Sequence, residues 1–329
     1  MAAPTFASFF SGIGGFDLGF ERAGFKLVLQ CEIENYCNTI LQNQWPKVKR
    51  FTDIKEVKHA DVPVSDVWAG GFPCQDVSVA RMGPRAGLKG KKSGLFYDFA
   101  RLVEGGRPRV LVIENVPGLL SSHGGRDFGI VIRTLADLGY GVGWRVLNSR
   151  YFGVPQSRQR VYVVACHRDG KGPAEILFER ERREGNAAPG KSNGTSTVSP
   201  FKTSFGDSRR GPVVPGIAYC LYACSARHTG TDWSRTYVTY PAGKIRRLLP
   251  IECERVQGFP DDWTLVPENN GYGDPDKVDS LRYHALGNAV TVPVAEWLAG
   301  RIKGYLAANK VEPVRTKISR VNGSRSVTL

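Results

Sequence analysis

The sequence lacks any long apolar run: no stretch approaches the roughly 20 consecutive apolar residues of a membrane-spanning helix. It opens with Met1-Ala2-Ala3-Pro4 and has no basic segment leading into an apolar one, so no secretory signal is expected. It has no Cys-x-x-Cys pair. Its seven cysteines, an odd number, run from Cys31 to Cys253, which speaks against a disulfide framework and for a reduced, cytoplasmic protein. Acids are scarce, 31 against 45 lysines and arginines, giving a formal charge of +14. Such an excess suits a polyanionic partner, nucleic acid before an anionic membrane surface; solubility alone is the plain alternative. There is no internal repeat. A hydrophobic fraction of 41% with 23% charged residues excludes wholesale disorder, and 329 residues suffice for one large domain or for a large and a small one.

Apolar runs alternate with amphipathic stretches in the first half. Strands are expected at Thr5–Phe10, Lys26–Cys31, Phe51–Ile54, Ser65–Ala69, Val110–Ile113, Gly143–Leu147 and Val161–Ala165, with helices at Gly94–Val103 and Phe128–Leu138. Strands spaced by helices imply an α/β fold with a doubly wound, mostly parallel sheet. From about His167 the sequence turns irregular. The stretch 185–200 is rich in Gly, Ser, Asn and Pro, and β-type runs follow at Ile217–Ala223 and Thr236–Tyr240. This reads as a smaller, mostly β or irregular domain. A final helix places Val294, Trp297, Leu298, Ile302 and Leu306 on one face. Residues 301–329 hold seven basic side chains and one acid, so the tail carries much of the net charge.

Four motifs fall at the expected strand ends. The first is the loop Gly12-x-Gly14-Gly15, with Glu32 20 residues after Gly12. Glycines allow close backbone approach, and an acid after the second strand can bind ribose hydroxyls. Asp17 stands where the third glycine of a dinucleotide fingerprint belongs, which favours an adenosyl cofactor without a phosphate bridge over a dinucleotide; a plain strand-to-helix turn is the bland alternative. Asp53 and Ile54 offer a polar and an apolar contact to an adenine. The second motif, Gly70-Gly71-Phe72-Pro73-Cys74-Gln75, sets a cysteine in a shaped loop, where a nucleophile is a better reading than a buried, inert thiol. The third is Glu114-Asn115-Val116. A strand-end Glu is usually a solvated acid, but beside a nucleophile it becomes a candidate proton donor to a bound base. In the fourth, Gln156-Ser157-Arg158-Gln159-Arg160, two arginines two apart are expected on one side of a strand, as an anchor for phosphate, carboxylate or carbonyl oxygen, or as a solvated basic edge.

Together these residues resemble the DNA (cytosine-5)-methyltransferases. The ordered series is Phe10-Ser11-Gly12-Ile13-Gly14-Gly15-Phe16, Glu32, Asp53-Ile54, Gly71-Phe72-Pro73-Cys74-Gln75, Glu114-Asn115-Val116 and Gln156 to Arg160. It continues through Arg247-Leu248-Leu249-Pro250, Glu254 to Pro260 and Gly287-Asn288-Ala289-Val290, so the likeness spans about residues 5–299. One departure is Ser8-Phe9-Phe10-Ser11, where many members have Asp-Leu-Phe-Ala.

The resemblance implies a Rossmann-like methyltransferase that takes S-adenosyl-L-methionine and releases S-adenosyl-L-homocysteine. Cys74 would attack C6 of a flipped-out cytosine, Glu114 would bond N3 and the exocyclic amine, and Arg158 and Arg160 would hold the base carbonyl and order the Cys74 loop. The cofactor residues it implies are Phe10, Ser11, Gly12, Ile13, Gly14, Gly15, Glu32 and Ile33, with Asp53, Ile54, Pro73, Leu95, Asn288 and Val290. Double-stranded DNA would be met by Gln75, Ser78 and Arg81, and in the recognition region by Arg209, Arg210, Arg227, His228, Thr229, Thr231 and Arg235. It divides the chain into a catalytic part at 1–166, a target-recognition domain at 167–274, a returning segment at 275–309 and a basic, flexible tail at 310–329. A monomer is expected, with no membrane and no metal; a cognate restriction endonuclease acting separately is left open. Cys220, Cys224 and His228 have helical ligand spacing but lack a fourth zinc ligand.

Three other readings stay open on sequence. An RNA cytosine methyltransferase would label transfer RNA in preference to duplex DNA. A silent DNA-binding module would have no use for Cys74 and Glu114. A dehydrogenase would bind a nicotinamide dinucleotide tightly despite Asp17.

Overall fold

The computed structural model describes residues 2–73, 94–179, 218–221, 237–239, 245–266 and 275–309. The chain enters as β1 (Thr5–Phe9), crosses through α1 (Gly15–Arg22) to β2 (Lys26–Cys31), and through α2 (Asn35–Gln44) to β3 (Lys49–Phe51). It then passes to the other side of β1 as β4 (Val67–Gly70). There follow α3 (Leu95–Gly106), β5 (Val110–Asn115), α4 (Arg126–Asp137), β6 (Tyr140–Asn148), β7 (Gln156–Ser157) and β8 (Gln159–His167). The seven-stranded sheet has the order β3-β2-β1-β4-β5-β8-β6. From β3 to β5 every neighbour is parallel. The order reverses between β1 and β4, so their carboxyl ends flank the crevice where open α/β sheets take ligands.

The central strands are buried at every position: β4 reads Val-Trp-Ala-Gly and β5 Val-Leu-Val-Ile-Glu-Asn. Such unbroken apolar runs suit a sheet covered on both faces. On one face α3 and α4 bring Phe96, Phe99, Leu102, Val131 and Leu135. On the other, Phe16 and Phe20 of α1 meet α8 (Val292–Ala308). The expected stripe on that helix holds: Val294, Leu298, Ile302 and Leu306 are buried, and Trp297 packs on Phe152. Each such apolar side chain contributes about 1.5–3 kcal/mol on burial. A third cluster joins Ile13, Leu41 and Trp45 to α6 (Pro250–Gln257), Trp263 and α7 (Pro275–Asn288).

The doubly wound, mostly parallel sheet is as expected, with three local differences. Strand β8 runs antiparallel to both β5 and β6. Only a short turn and β7 separate β6 from β8, too little chain for a crossover helix, so the direction reverses. Strand β3 ends at Phe51, and Asp53 and Ile54 follow it in a turn. Where irregular chain was expected, α5 (Gly172–Leu177) starts with Pro173 in its first turn and buries Ile176 and Leu177 against the sheet and α8. The later β-type runs contain β9 (Ala218–Tyr219), which pairs in parallel with β7, and β10 (Tyr237–Thr239), antiparallel to β11 (Ile245–Arg247). Among the described residues, no helix is long and apolar enough to cross a membrane.

Asp17, fully buried in α1, accepts from Ser8 Oγ at 2.9 Å and from Gln30 Nε2 at 2.8 Å, and Gln30 Oε1 in turn accepts from Arg50. Burial raises the Asp17 pKa to about 6 against these hydrogen bonds. The fold therefore favours the protonated form. The stability this contributes is full below the ordinary value of 3.8 and is lost as pH rises through about 6. In Asp17→Asn, whose amide stays neutral and can donate to Ser8 Oγ, melting temperature should fall less between pH 5 and pH 8 than in the wild type. The difference corresponds to about 3 kcal/mol or less; parallel melting curves of the two proteins across that range would contradict it.

Candidate active site

At the end of β1 the chain makes a tight loop. Phe10 has φ 53, a left-handed conformation rare outside glycine, and Gly12 and Gly14 have φ 57 and 85. Glu32, buried just after β2, ties this loop down: its Oε2 accepts from Gly12 N at 2.6 Å and its Oε1 from Glu34 N at 2.8 Å. Burial raises the Glu32 pKa, and the two backbone donors oppose that rise. Ser11 N donates to the Cys31 carbonyl, a second tie between the loop and β2.

The loop residues divide in two. Gly12 has open space where a Cβ would stand. Gly14, Gly15 and Ile13 are committed to packing: a Cβ on Gly14 would come within 2.5 Å of the Trp45 ring, and one on Gly15 within 2.4 Å of the Val290 carbonyl. Ile13 is fully buried, and its carbonyl accepts from Trp263 Nε1 at 2.8 Å. Asn288 and Ile33 are exposed, Leu95 and Pro73 are half-buried, and Asp53 Oδ1 accepts from Lys55 N at 2.9 Å.

This donor set fits an adenosyl group. Each Glu32 oxygen accepts one backbone hydrogen bond and keeps a lone pair for a ribose hydroxyl. Open space lies over Gly12, and Ile33 presents an apolar surface beside it. A pyrophosphate would instead meet the buried carboxyl of Asp17 in the first turn of α1.

The second cluster lies at the ends of β4, β5 and β8. Glu114 is buried, with Arg160 Nε 3.0 Å from its Oε1. Burial raises the Glu114 pKa; Arg160 and then Arg158 pull it back. Gly71 is pressed against it, since a Cβ there would stand 3.0 Å from Glu114 Oε2. Asn115 Nδ2 donates to the Phe72 carbonyl at 3.3 Å, so β5 also holds the segment that leads to Cys74. Asn115 was visible in the sequence only as the neighbour of Glu114; a second polar residue at a strand end was its sole signal.

The guanidiniums of Arg158 and Arg160 converge on the Cys220 sulfur, as side chains two apart on one side of a strand can, but their other partners differ. Arg158 sits at the break between β7 and β8. Its guanidinium is buried and donates to the carbonyls of Gly287, Ala289 and Leu221 at 2.8–3.2 Å. It is a clamp on the backbone, whereas Arg160 faces Glu114. Burial lowers the Arg158 pKa, as does the neighbouring Arg160. Cys220 has its sulfur against these two guanidiniums, poor neighbours for a cation. Cys74, Gln75, Ser78, Arg81, Arg209, Arg210, Arg227, His228, Thr229, Thr231 and Arg235 lie outside the described residues, as do Cys224 and the tail from residue 310.

The sheet order and these strand-end clusters define a Rossmann-like methyltransferase fold. The sequence matches the C-5 cytosine-specific DNA methylase family over residues 4–202 and 175–304. It is similar to the Type II methyltransferase M2.BsuMI of Bacillus subtilis, 32% identical over 88% of this chain and 73% of that one. It is also similar to M.NgoBI of Neisseria gonorrhoeae, 32% identical over 87% and 89% of the two chains. Among solved structures, S. pombe Dnmt2 methyltransferase superposes with a TM-score of 0.63 at 18% identity, over 93% of this chain and 99% of that one. A substituted form of Spodoptera frugiperda DNMT2 gives 0.65 at 18% identity, over 92% and 100%. The chain belongs to the C-5 cytosine-specific DNA methylase family, and its activity is DNA cytosine-5 methylation.

The contact between Gly71 and Glu114 generates a test. Gly71→Ala should move the Glu114 carboxyl by a few tenths of an ångström and lower DNA methyl transfer about tenfold, with little change in melting temperature. Unchanged turnover would show that the position of the carboxyl is not critical.

Proposed function

We propose that the protein methylates C5 of a cytosine turned out of duplex DNA at a specific sequence, through a covalent adduct between Cys74 and C6. The observation that carries this reading is the buried Glu114–Arg160 pair at the end of β5, pressed against the Gly71-Phe72-Pro73 segment that leads to Cys74.

Unstacking the base costs a few kcal/mol, which contacts to the extruded nucleotide offset. The Cys74 thiolate attacks C6, forming a carbon–sulfur bond and pushing electrons toward N3. Burial raises the Glu114 pKa, which favours the protonated carboxyl that donates to N3, while its other oxygen accepts from the exocyclic amine. Arg160 lies beside Glu114 and is the guanidinium available to the base carbonyl; Arg158, already committed to backbone carbonyls, orders the surrounding segments. When bound, S-adenosyl-L-methionine supplies the electrophilic methyl group that C5 accepts, and leaves as S-adenosyl-L-homocysteine. A base then removes the C5 proton, the carbon–sulfur bond breaks, Cys74 leaves as thiolate, and the N3 proton returns to Glu114.

Glu32, Gly12, Ile33, Asp53 and Ile54 are the residues that would hold the cofactor. Residues 167–274 would read the DNA, with the arginines from Arg209 to Arg235 neutralising phosphates and setting the salt dependence of affinity. The protein would act as a cytoplasmic monomer. The relatives are named as Type II methyltransferases, which supports a restriction endonuclease as a separate partner.

Incubation with S-adenosylmethionine labelled in the methyl group should transfer label to duplex DNA, and Cys74→Ser should abolish it. Glu114→Gln should lower turnover a hundredfold or more while leaving cofactor binding intact, an effect of about the size of a lost general acid. Equal labelling by the wild type and Cys74→Ser would exclude the covalent route. Preferential labelling of transfer RNA would overturn the choice of DNA.

A further inference from the structure

Cys220 directly follows β9, on the side of the chain that leads into the recognition region. Its sulfur stands 3.5 Å from Arg158 Nη1 and 3.9 Å from both Nη1 and Nη2 of Arg160. Its own S–H donates to the Leu221 carbonyl at 3.5 Å. A thiol has one weak donor and a weakly accepting sulfur. Here the donor is taken by backbone, and the acceptor faces two cations.

The two guanidiniums repel each other, and they are not equally free to respond. Arg158 is 2% exposed and fixed by the carbonyls of Gly287, Ala289 and Leu221. Arg160 has Glu114 at its Nε; at its Nη end Nη1 donates to the Gln159 carbonyl at 2.7 Å, and the sulfur is the one contact that Nη1 and Nη2 share. Without the sulfur, Arg160, held by one carbonyl where Arg158 is held by three, is the freer of the two to turn, and a turn about its Nη1 contact would draw Nε off the carboxyl. One buried atom of this cluster, Arg158 Nε, has no hydrogen-bond partner among the described residues. Buried polar groups are ordinarily satisfied, so the cluster retains capacity for a polar ligand.

We propose that Cys220 is a positioning residue of the base pocket: its sulfur fixes the Arg160 guanidinium against Glu114, so that the chain just after β9 sets the geometry that receives the cytosine. This rests on the reading that Glu114 and Arg160 hold the target base.

The test compares Cys220→Ser, which keeps a polar acceptor, with Cys220→Ala, which removes it, and Cys220→Val, which fills the space without one. DNA methyl transfer by the full chain is measured with each. The alanine and valine variants should both lose about tenfold in kcat, with KM for S-adenosylmethionine and melting temperature unchanged, and serine should recover most of the loss. Wild-type kcat in Cys220→Val would overturn the proposal, because the sulfur would then only fill space. So would a loss of kcat that tracks a raised cofactor KM or a lowered melting temperature in all three. A wild type that transfers no methyl to DNA contradicts the functional reading instead.

Discussion

Burying a carboxyl group at the end of a central strand costs free energy unless a proton or a cation answers it. Glu114 occupies that position, and the surrounding segments are arranged about it. Strand β8 runs antiparallel to β5, which brings Arg160 alongside the end of β5 where Glu114 stands. Gly71 lacks a side chain where one would press on the carboxyl, and Asn115 fixes the neighbouring backbone through the Phe72 carbonyl. Desolvation favours the protonated form and raises the pKa, and Arg160 opposes that rise.

Two further contacts connect this carboxyl to the rest of the molecule. Arg158 joins the connection between α7 and α8, at Gly287 and Ala289, to Leu221 just after β9. The Val290 carbonyl, one residue beyond the carbonyl of Ala289 that Arg158 grips, packs over Gly15 in the glycine loop. On the other side of the switch point, Glu32 holds Gly12 in place through one backbone hydrogen bond. The glycine loop, the Glu114 cluster and β9 thus share a short chain of contacts, built mostly from backbone carbonyls and a few buried charges.

Much of this was legible in the sequence where side-chain type alone decides the outcome. The apolar runs of β4 and β5 read as strands, and the apolar stripe of α8 as a packed helix face. Strand direction has no such signature, and the reversal at β8 followed from the length of a connection. Helix α5 is only six residues long and opens with Gly and Pro, so its periodicity was too brief to see. Ile13 looked like a loop residue near the cofactor, yet it is a core residue because Trp263, 250 positions away, closes over it. Arg158 and Arg160 looked equivalent at a spacing of two; both reach the Cys220 sulfur, but Arg158 grips the carbonyls of Gly287 and Ala289 while Arg160 meets Glu114. Cys220 suggested a metal ligand by spacing, but arginines about 60 residues earlier in the chain surround its sulfur.

The central claim is that Cys74 forms a carbon–sulfur bond with C6 while Glu114 protonates the ring. Duplex DNA containing 5-fluorocytosine tests it most directly, because fluorine at C5 blocks the elimination that would release the enzyme. With S-adenosylmethionine present, the account predicts a covalent protein–DNA complex stable to denaturation, with the DNA attached to the peptide carrying Cys74. Methylation of ordinary cytosine without any such adduct, or an adduct mapped to a different cysteine, would contradict it.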